Sequence, residues 1–158
     1  MERAAHGSHG RKPYLLLLSM AALSFLAMYA LMYAMVDRFD NVIANWNQVY
    51  MAGLMTAPMV LLELLLMRSM YPSKKVNAIV AAVSVVAGLG CFVLVRRQGG
   101  IADRQFLKSM IPHHAAALLM CEQADLSDSE IRELCESIRA GQQAEITQMK
   151  AILERLAK

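Results

Sequence analysis

Three long stretches almost without charge constrain this chain more than any other feature. Residues 14–36 and 76–95 contain no charged side chain, and residues 49–67 contain only Glu63. Each stretch is about 19 to 23 residues long, and an α-helix needs ~20 residues to cross ~30 Å of hydrocarbon. The chain is therefore predicted to be an all-α membrane protein with three transmembrane helices within residues 13–97.

The composition agrees with this prediction and excludes other classes. Hydrophobic residues make up 57% of the chain and charged residues only 18%, whereas globular domains contain ~25% charged residues. The net charge of +3 is too small to suggest a nucleic-acid partner, and no basic patch with interleaved aromatics occurs. The first apolar run exceeds the ~7–15 residues of a secretory signal, so we expect it to be retained in a lipid bilayer.

The orientation follows from the lysine and arginine residues near the three spans. A flexible polar tail, residues 1–12, and the turn after the second span share one side, with six positive charges: Arg3, Arg11, Lys12, Arg68, Lys74 and Lys75. The opposite side has three: Arg38, Arg96 and Arg97. The positive-inside rule then predicts a multi-pass protein of the cytoplasmic (inner) membrane. Its N-terminus is cytoplasmic and its C-terminal domain periplasmic or otherwise extracytoplasmic.

Residues 103–158 are predicted to form an antiparallel helical hairpin outside the bilayer. One apolar seam recurs every three or four residues at Phe106, Met110, His113, Ala117, Met120 and Ala124. After a break at 125–127 and a capping box, Ser127 with Glu130, a second seam follows at Ile131, Cys135, Ile138, Gln142, Glu145, Met149, Ile152 and Leu156.

Two helices alone bury little apolar surface, so the hairpin needs a partner. The simplest partner is a second copy of the chain, which would give a homodimeric four-helix bundle. The contact is expected on the second face of the first helix, with Leu107, Ile111, His114, Leu118 and Cys121.

Polar residues within the seams suggest a metal site. Counting equal distances from Leu126 places Met110 near Gln142, and His113 near Arg139 and Ile138. Thioether sulfur favours Cu(I) and imidazole binds either copper state. Zinc seldom uses methionine, and a di-iron bundle site would need Glu-x-x-His pairs. The candidate ligands are Met110, His113, His114, Glu145 and Met149, with Gln142, Met120 and Cys121 as possible further or outer ligands; the alternative is a hydrogen-bonded core histidine.

Two further patterns leave alternatives open. Cys121 and Cys135 could be extra ligands, a disulfide or part of the core, whereas Cys91 is most simply a small buried apolar residue. In the second span, methionines recur on one stripe with Glu63: Met51, Met55, Met59 and Met67. Three more line one face of the first span, Met28, Met32 and Met35, and these methionines could pass Cu(I) or simply pack.

Residues 103–153 resemble the ferritin-like family catalogued as domain of unknown function 305. The matching residues are Asp103, Phe106, Leu107, the run Met110-Ile111-Pro112-His113-His114, Ala117, Met120, Ile138, Gln142, Glu145, Ile146 and Met149. The resemblance covers about a third of the chain. It implies a helical bundle, frequently built from two such hairpins, and several members are associated with periplasmic copper binding and tolerance. A single hairpin here points to self-association.

These observations predict a non-enzymatic, membrane-anchored protein that binds a copper ion on its extracytoplasmic face. The alternative is a structural, oligomerising membrane module without metal. An oxidase is disfavoured because no open three-ligand site or general base is recognisable. The sequence does not identify a protein that donates or accepts the metal.

Overall fold

The computed structural model describes residues Arg11–Ala157 and is helical throughout. Its five described α-helices are α1 Lys12–Leu31, α2 Trp46–Leu66, α3 Lys74–Arg97, α4 Asp103–Gln123 and α5 Ser129–Arg155. Short 3-10 turns occupy Phe39–Asn41 and Arg68–Met70, and no strand occurs within the described range. The all-α class is confirmed. The predicted polar tail lies, up to Gly10, outside the described residues.

The three helices α1, α2 and α3 are long and apolar enough to cross a membrane, as predicted. The loop after the first of them is longer than predicted. Helix α1 ends at Leu31 instead of Val36. After Leu31 the backbone hydrogen bonds join residues three positions apart instead of four: Ala34 N donates to Leu31 O and Val36 N donates to Tyr33 O, each over 3.0 Å. Helix α2 begins early because Asn45 caps it, accepting a 3.1 Å hydrogen bond from Gln48 N.

The chain divides into two compact units. The first contains the described part of Met1–Ala30 together with Val49–Gly99. At one end of this unit Tyr14 Oη donates to Asn77 Oδ1 over 2.7 Å, and at the other Tyr50 Oη donates to the Gly99 carbonyl over 2.9 Å. The start of α1 therefore lies beside the start of α3, and the start of α2 beside the end of α3. The three helices run alternately up, down and up.

Helices α2 and α3 approach each other closely at Gly53. A Cβ atom added there would lie 2.7 Å from Cys91 Sγ, which is shorter than a van der Waals contact. Cys91 is half-buried and a free thiol. It therefore acts as a small packing residue, in line with the prediction.

The second unit contains Leu31–Gln48 together with the described part of Gly100–Lys158. Its core lies between α4 and α5 and consists of Leu107, Ile111, Ala115, Leu118, Ile146 and Met149. Val36 and Ile43, from the segment between α1 and α2, pack against this core. Trp46 N also donates to Gln105 Oε1 over 3.2 Å. The hairpin therefore has a partner within its own chain.

The predicted seam of α4 is wrong by one position. Phe106, His113, Met120 and Ala124 are exposed, and the buried stripe is Leu107, Ile111, Ala115 and Leu118. Both stripes repeat every three to four residues, so periodicity alone did not separate them. The buried stripe contains larger branched aliphatic side chains, which gain more free energy from burial than His or Ala.

In α5 the predicted seam is largely confirmed. Met149 is buried, and five other members are partly buried: Cys135, Ile138, Gln142, Ile152 and Leu156. Ile131 and Glu145 are exposed, and the fully buried Ile146 was not predicted.

The turn of the hairpin is longer than predicted. Residues 124–128 separate α4 from α5, and the capping residue is Asp128, not Ser127. The Asp128 carboxylate accepts hydrogen bonds from Glu130 N at 2.9 Å and Ile131 N at 3.1 Å. Counting from Leu126 nevertheless gives the wrong register, because the contacts between the helices are centred further along the chain. The bonded pair Cys121–Cys135 has its midpoint at residue 128, and the pair His114–Glu145 has its midpoint between residues 129 and 130.

Candidate metal site in the helical hairpin

His114 is held at both of its ring nitrogens. Nδ1 lies 2.9 Å from the carbonyl oxygen of Met110, one turn earlier in α4, and Nε2 lies 2.8 Å from Glu145 Oε2 of α5. A carbonyl oxygen can only accept, so the Nδ1 contact is a hydrogen bond that the ring donates, while Nε2 faces the carboxylate. These two contacts fix the ring's orientation. The histidine side chain is 12% exposed and that of Glu145 is 55% exposed.

The shifted register changes which histidine meets the second helix. Counting from Leu126 predicted that His113 lies near Arg139, but Arg139 Nη2 instead contacts Glu122 Oε1 at 3.3 Å. His113 is exposed, and its ring centroid lies 6.2 Å from that of His114. The structure thus gives the two neighbouring histidines different surroundings: one is fixed between helices and the other faces solvent.

Two methionines belong to the same region of the hairpin. Met149 is a buried member of the α4–α5 core, and Met110 packs against that core. Gln142 is half-buried on α5, whereas Met120 is exposed. His114 thus contacts Glu145 and the main chain of Met110, and Met149 lies in the core against which the Met110 side chain packs.

Cys121 is bonded to Cys135, with the Cα atoms 5.5 Å apart. Of the three alternatives open from the sequence, the disulfide is therefore the one found. The bond joins the last turn of α4 to the second turn of α5, close to the turn of the hairpin. While it is intact, Cys121 has no thiolate for a metal.

The donor set decides which ions these residues fit. Within Arg11–Ala157 no group of three or more His, Cys, Asp or Glu side chains could hold a metal ion. A metal would therefore require the methionine sulfurs in addition to His114 and Glu145, which suits a soft or borderline ion. A metal-binding imidazole usually donates its other N–H to a carbonyl or carboxylate. His114 does so through Nδ1 to Met110, which makes Nε2 the nitrogen for a metal.

Glu63, the acidic residue of the second apolar helix, is hydrogen-bonded within the first unit. Tyr71, between α2 and α3, donates its hydroxyl to Glu63 Oε1 over 3.1 Å. Burial raises the pKa of the Tyr71 phenol above its ordinary 10.0, and the hydrogen bond and negative charge of Glu63 raise it further. Among the methionines of the apolar helices, Met28 Sδ lies 3.8 Å from Thr56 Oγ1, whose proton is donated to the Ala52 carbonyl oxygen over 2.8 Å. These contacts lie within the first unit and contribute to its packing.

Comparison with known proteins identifies related chains. The family model described as Domain of unknown function (DUF305) matches residues 92–153, beginning within α3, before the predicted 103. The chain is 30% identical over 142 residues to the uncharacterized protein L153 of Acanthamoeba polyphaga mimivirus. The aligned region covers 88% of this chain and 91% of the viral protein. No solved structure matches. The chain belongs to the same family as this viral protein and carries a DUF305 domain at residues 92–153.

Proposed function

We propose that this chain is a membrane-anchored copper-binding protein whose hairpin holds the ion on the extracytoplasmic face of the cytoplasmic membrane. The observation that carries the proposal is the fixed His114 ring. Its Nδ1 donates to a main-chain carbonyl, its Nε2 faces Glu145, and the thioethers of Met110 and Met149 belong to the same core region. The protein would store the copper ion or pass it on, and no catalytic step is proposed.

The surface of the first unit supports the membrane anchor. Many large aliphatic side chains of α1 point outward, among them Leu15, Leu16, Leu18, Leu23 and Leu26. Water-soluble monomers rarely expose a contiguous apolar surface of this kind. Hydrocarbon removes that penalty, because lipid chains are as apolar as leucine.

Two structural observations support the proposed orientation. The second unit combines Leu31–Gln48 with residues after Gly99. Two crossings, by α2 and α3, would return the chain to the side it left, so both segments can share one compartment. The Cys121–Cys135 bond suits an oxidising compartment such as the periplasm. The lysine and arginine count places the same domain outside.

Copper is favoured over other ions by the sulfur donors. Methionine sulfur is a soft ligand that favours Cu(I), and imidazole accepts either copper state. Structural zinc sites use four Cys, His or carboxylate ligands, which the described residues do not bring together. In this proposal His114 Nε2, Met110 and Met149 hold the ion, with Glu145 beside it. His113 is exposed and near enough to serve as an entry ligand.

A competition titration of the full chain in lipid nanodiscs tests the proposal. Cu(I) is distributed between the protein and a chromophoric chelator, and zinc binding is measured in parallel. Replacement of Met149 by leucine should weaken Cu(I) binding more than Zn(II) binding, because only the softer ion prefers the thioether. The matched control is Met120→Leu, the same change at an exposed methionine, which should leave both affinities unchanged. Equal effects of the two variants, or equal losses for both ions, would contradict the proposal.

A structural role as an oligomerising module is the second candidate, and exposed apolar side chains of the hairpin favour it. Phe106, Met120, Ile131 and Leu134 are exposed on one copy, and pairing would give a ferritin-like four-helix bundle. The contact expected at Leu118 is wrong, because this residue lies in the core of its own hairpin. Analytical ultracentrifugation in mild detergent should show a dimer that Leu134→Arg dissociates. A dimer without copper affinity would favour this role, and a monomer would exclude it.

A further inference from the structure

The turn between α1 and α2 buries two polar side chains and exposes a large apolar one. The Asp37 side chain is 5% exposed and Asn41 is 5% exposed, whereas Phe39 is 93% exposed. Asp37 Oδ1 accepts hydrogen bonds from Asn41 Nδ2 at 2.6 Å and from Arg38 N at 2.8 Å. These two hydrogen bonds close the turn, and Phe39 lies on its outer side. Buried polar and exposed apolar residues are the reverse of what a water-facing turn shows.

The neighbouring apolar side chains extend the same surface. Met35 and Val42, on either side of the 3-10 turn, are exposed, and so is Trp46 at the start of α2. Arg38 is largely exposed as well, at 75% of its side chain. We name the segment Met35–Val42 the inverted turn. Its surface combines aliphatic and aromatic groups with two charged ones: the exposed Asp40, and Arg38, whose Nε lies 3.8 Å from Asp37 Oδ2. Aromatic and basic groups together are typical of the interface between lipid headgroups and acyl chains.

The connections of the inverted turn indicate what covers it. Phe39 follows Leu31, the end of α1, by eight positions and precedes Trp46, the start of α2, by seven. Both helices are apolar enough to cross a membrane. An extended residue spans at most ~3.6 Å, so Phe39 lies at most ~29 Å from the end of α1 and ~25 Å from the start of α2. A segment wound into a 3-10 turn spans less, and the headgroup region is therefore within reach of Phe39.

We propose that the inverted turn inserts Phe39 into the headgroup region of the same bilayer that α1 and α2 cross. Met35 and Val42 flank it there, and Arg38 reaches the lipid phosphates, which guanidinium groups bind well. The proposal rests on the membrane anchoring proposed above.

Tryptophan fluorescence of the full chain tests the insertion. The single native tryptophan is removed by Trp46→Phe, and Phe39→Trp then places one reporter at the tip of the turn. A side chain that is 93% exposed can be exchanged without disturbing the core. In liposomes the expected result is a blue-shifted emission, quenched more strongly by lipids brominated near the headgroup than by lipids brominated near the chain ends.

The control reporter is Leu23→Trp in the same background, at an exposed position near the middle of α1. It should be quenched most by the deeply brominated lipids. A water-like, unquenched Phe39→Trp beside a quenched Leu23→Trp would overturn the insertion and leave the membrane anchor standing. Blue-shifted emission of Phe39→Trp without quenching by lipid would overturn it too, and would mean that protein covers the turn. If neither reporter is quenched, the membrane anchor fails, and the inserted turn with it.

Discussion

The buried stripe of α4 makes a sharp prediction about two leucines of the hairpin. Leu118 is 3% exposed and packs in the core, while Leu134 is 59% exposed on α5. Leucine to alanine removes three carbons, worth ~0.8 kcal/mol each when buried, and the cavity left behind adds to the loss. We therefore expect Leu118→Ala to destabilise the hairpin by about 3 kcal/mol and Leu134→Ala by less than ~0.5 kcal/mol.

Hydrogen exchange followed by mass spectrometry measures this difference in the full chain, in lipid nanodiscs. Amides in the middle of α4 should exchange roughly a hundredfold faster in Leu118→Ala than in the wild type, which corresponds to about 3 kcal/mol. Leu134→Ala should leave them close to wild type. Equal effects of the two substitutions, or a larger effect at Leu134, would refute the assignment of the buried face.

Two further predictions concern the cysteines and a tyrosine. Denatured protein should show one reactive thiol, Cys91, before reduction and three after it. Replacing Cys121 and Cys135 by alanine should lower the free energy of unfolding by about 3 kcal/mol, because the bond closes a short loop. Urea unfolding measures this loss. Glu63→Gln should lower the pKa of Tyr71 towards 10.0 in an ultraviolet titration, though not fully, because burial is the larger cause. In the wild type the raised pKa means that the folded state favours the neutral phenol. The contribution of Tyr71 to the free energy of unfolding should therefore be fully present below pH ~10 and be lost as the pH rises through the folded-state pKa.

The helices themselves could be predicted from the sequence, because they follow from local and periodic properties. Uncharged runs of sufficient length identified α1, α2 and α3, and the three-to-four spacing identified the hairpin. Details that depend on contacts distant in sequence were not predictable. Tyr33 donates its hydroxyl to the Ile43 carbonyl, and Val36 packs into the hairpin core, so the chain leaves the helical path after Leu31.

Part of the candidate site can be compared with the structure. His114 contacts Glu145 and the Met110 carbonyl, and Met110 and Met149 belong to the hairpin core or pack against it, whereas metal binding by these residues stays a prediction. The pairing failed because it assumed that residues equally far from Leu126 meet, whereas the Cys121–Cys135 and His114–Glu145 contacts show that α5 is displaced along α4. Asp128, the actual cap, followed directly after the predicted Ser127, so the local signal was present.

The coordination of bound copper tests the central proposal most directly. X-ray absorption at the copper edge is recorded for the full chain in nanodiscs, loaded with one equivalent of Cu(I). We expect a mixed shell of nitrogen and sulfur, in which His114→Ala removes nitrogen and Met149→Leu removes sulfur. A shell of oxygen and nitrogen alone, unchanged by both substitutions, would contradict the proposed site.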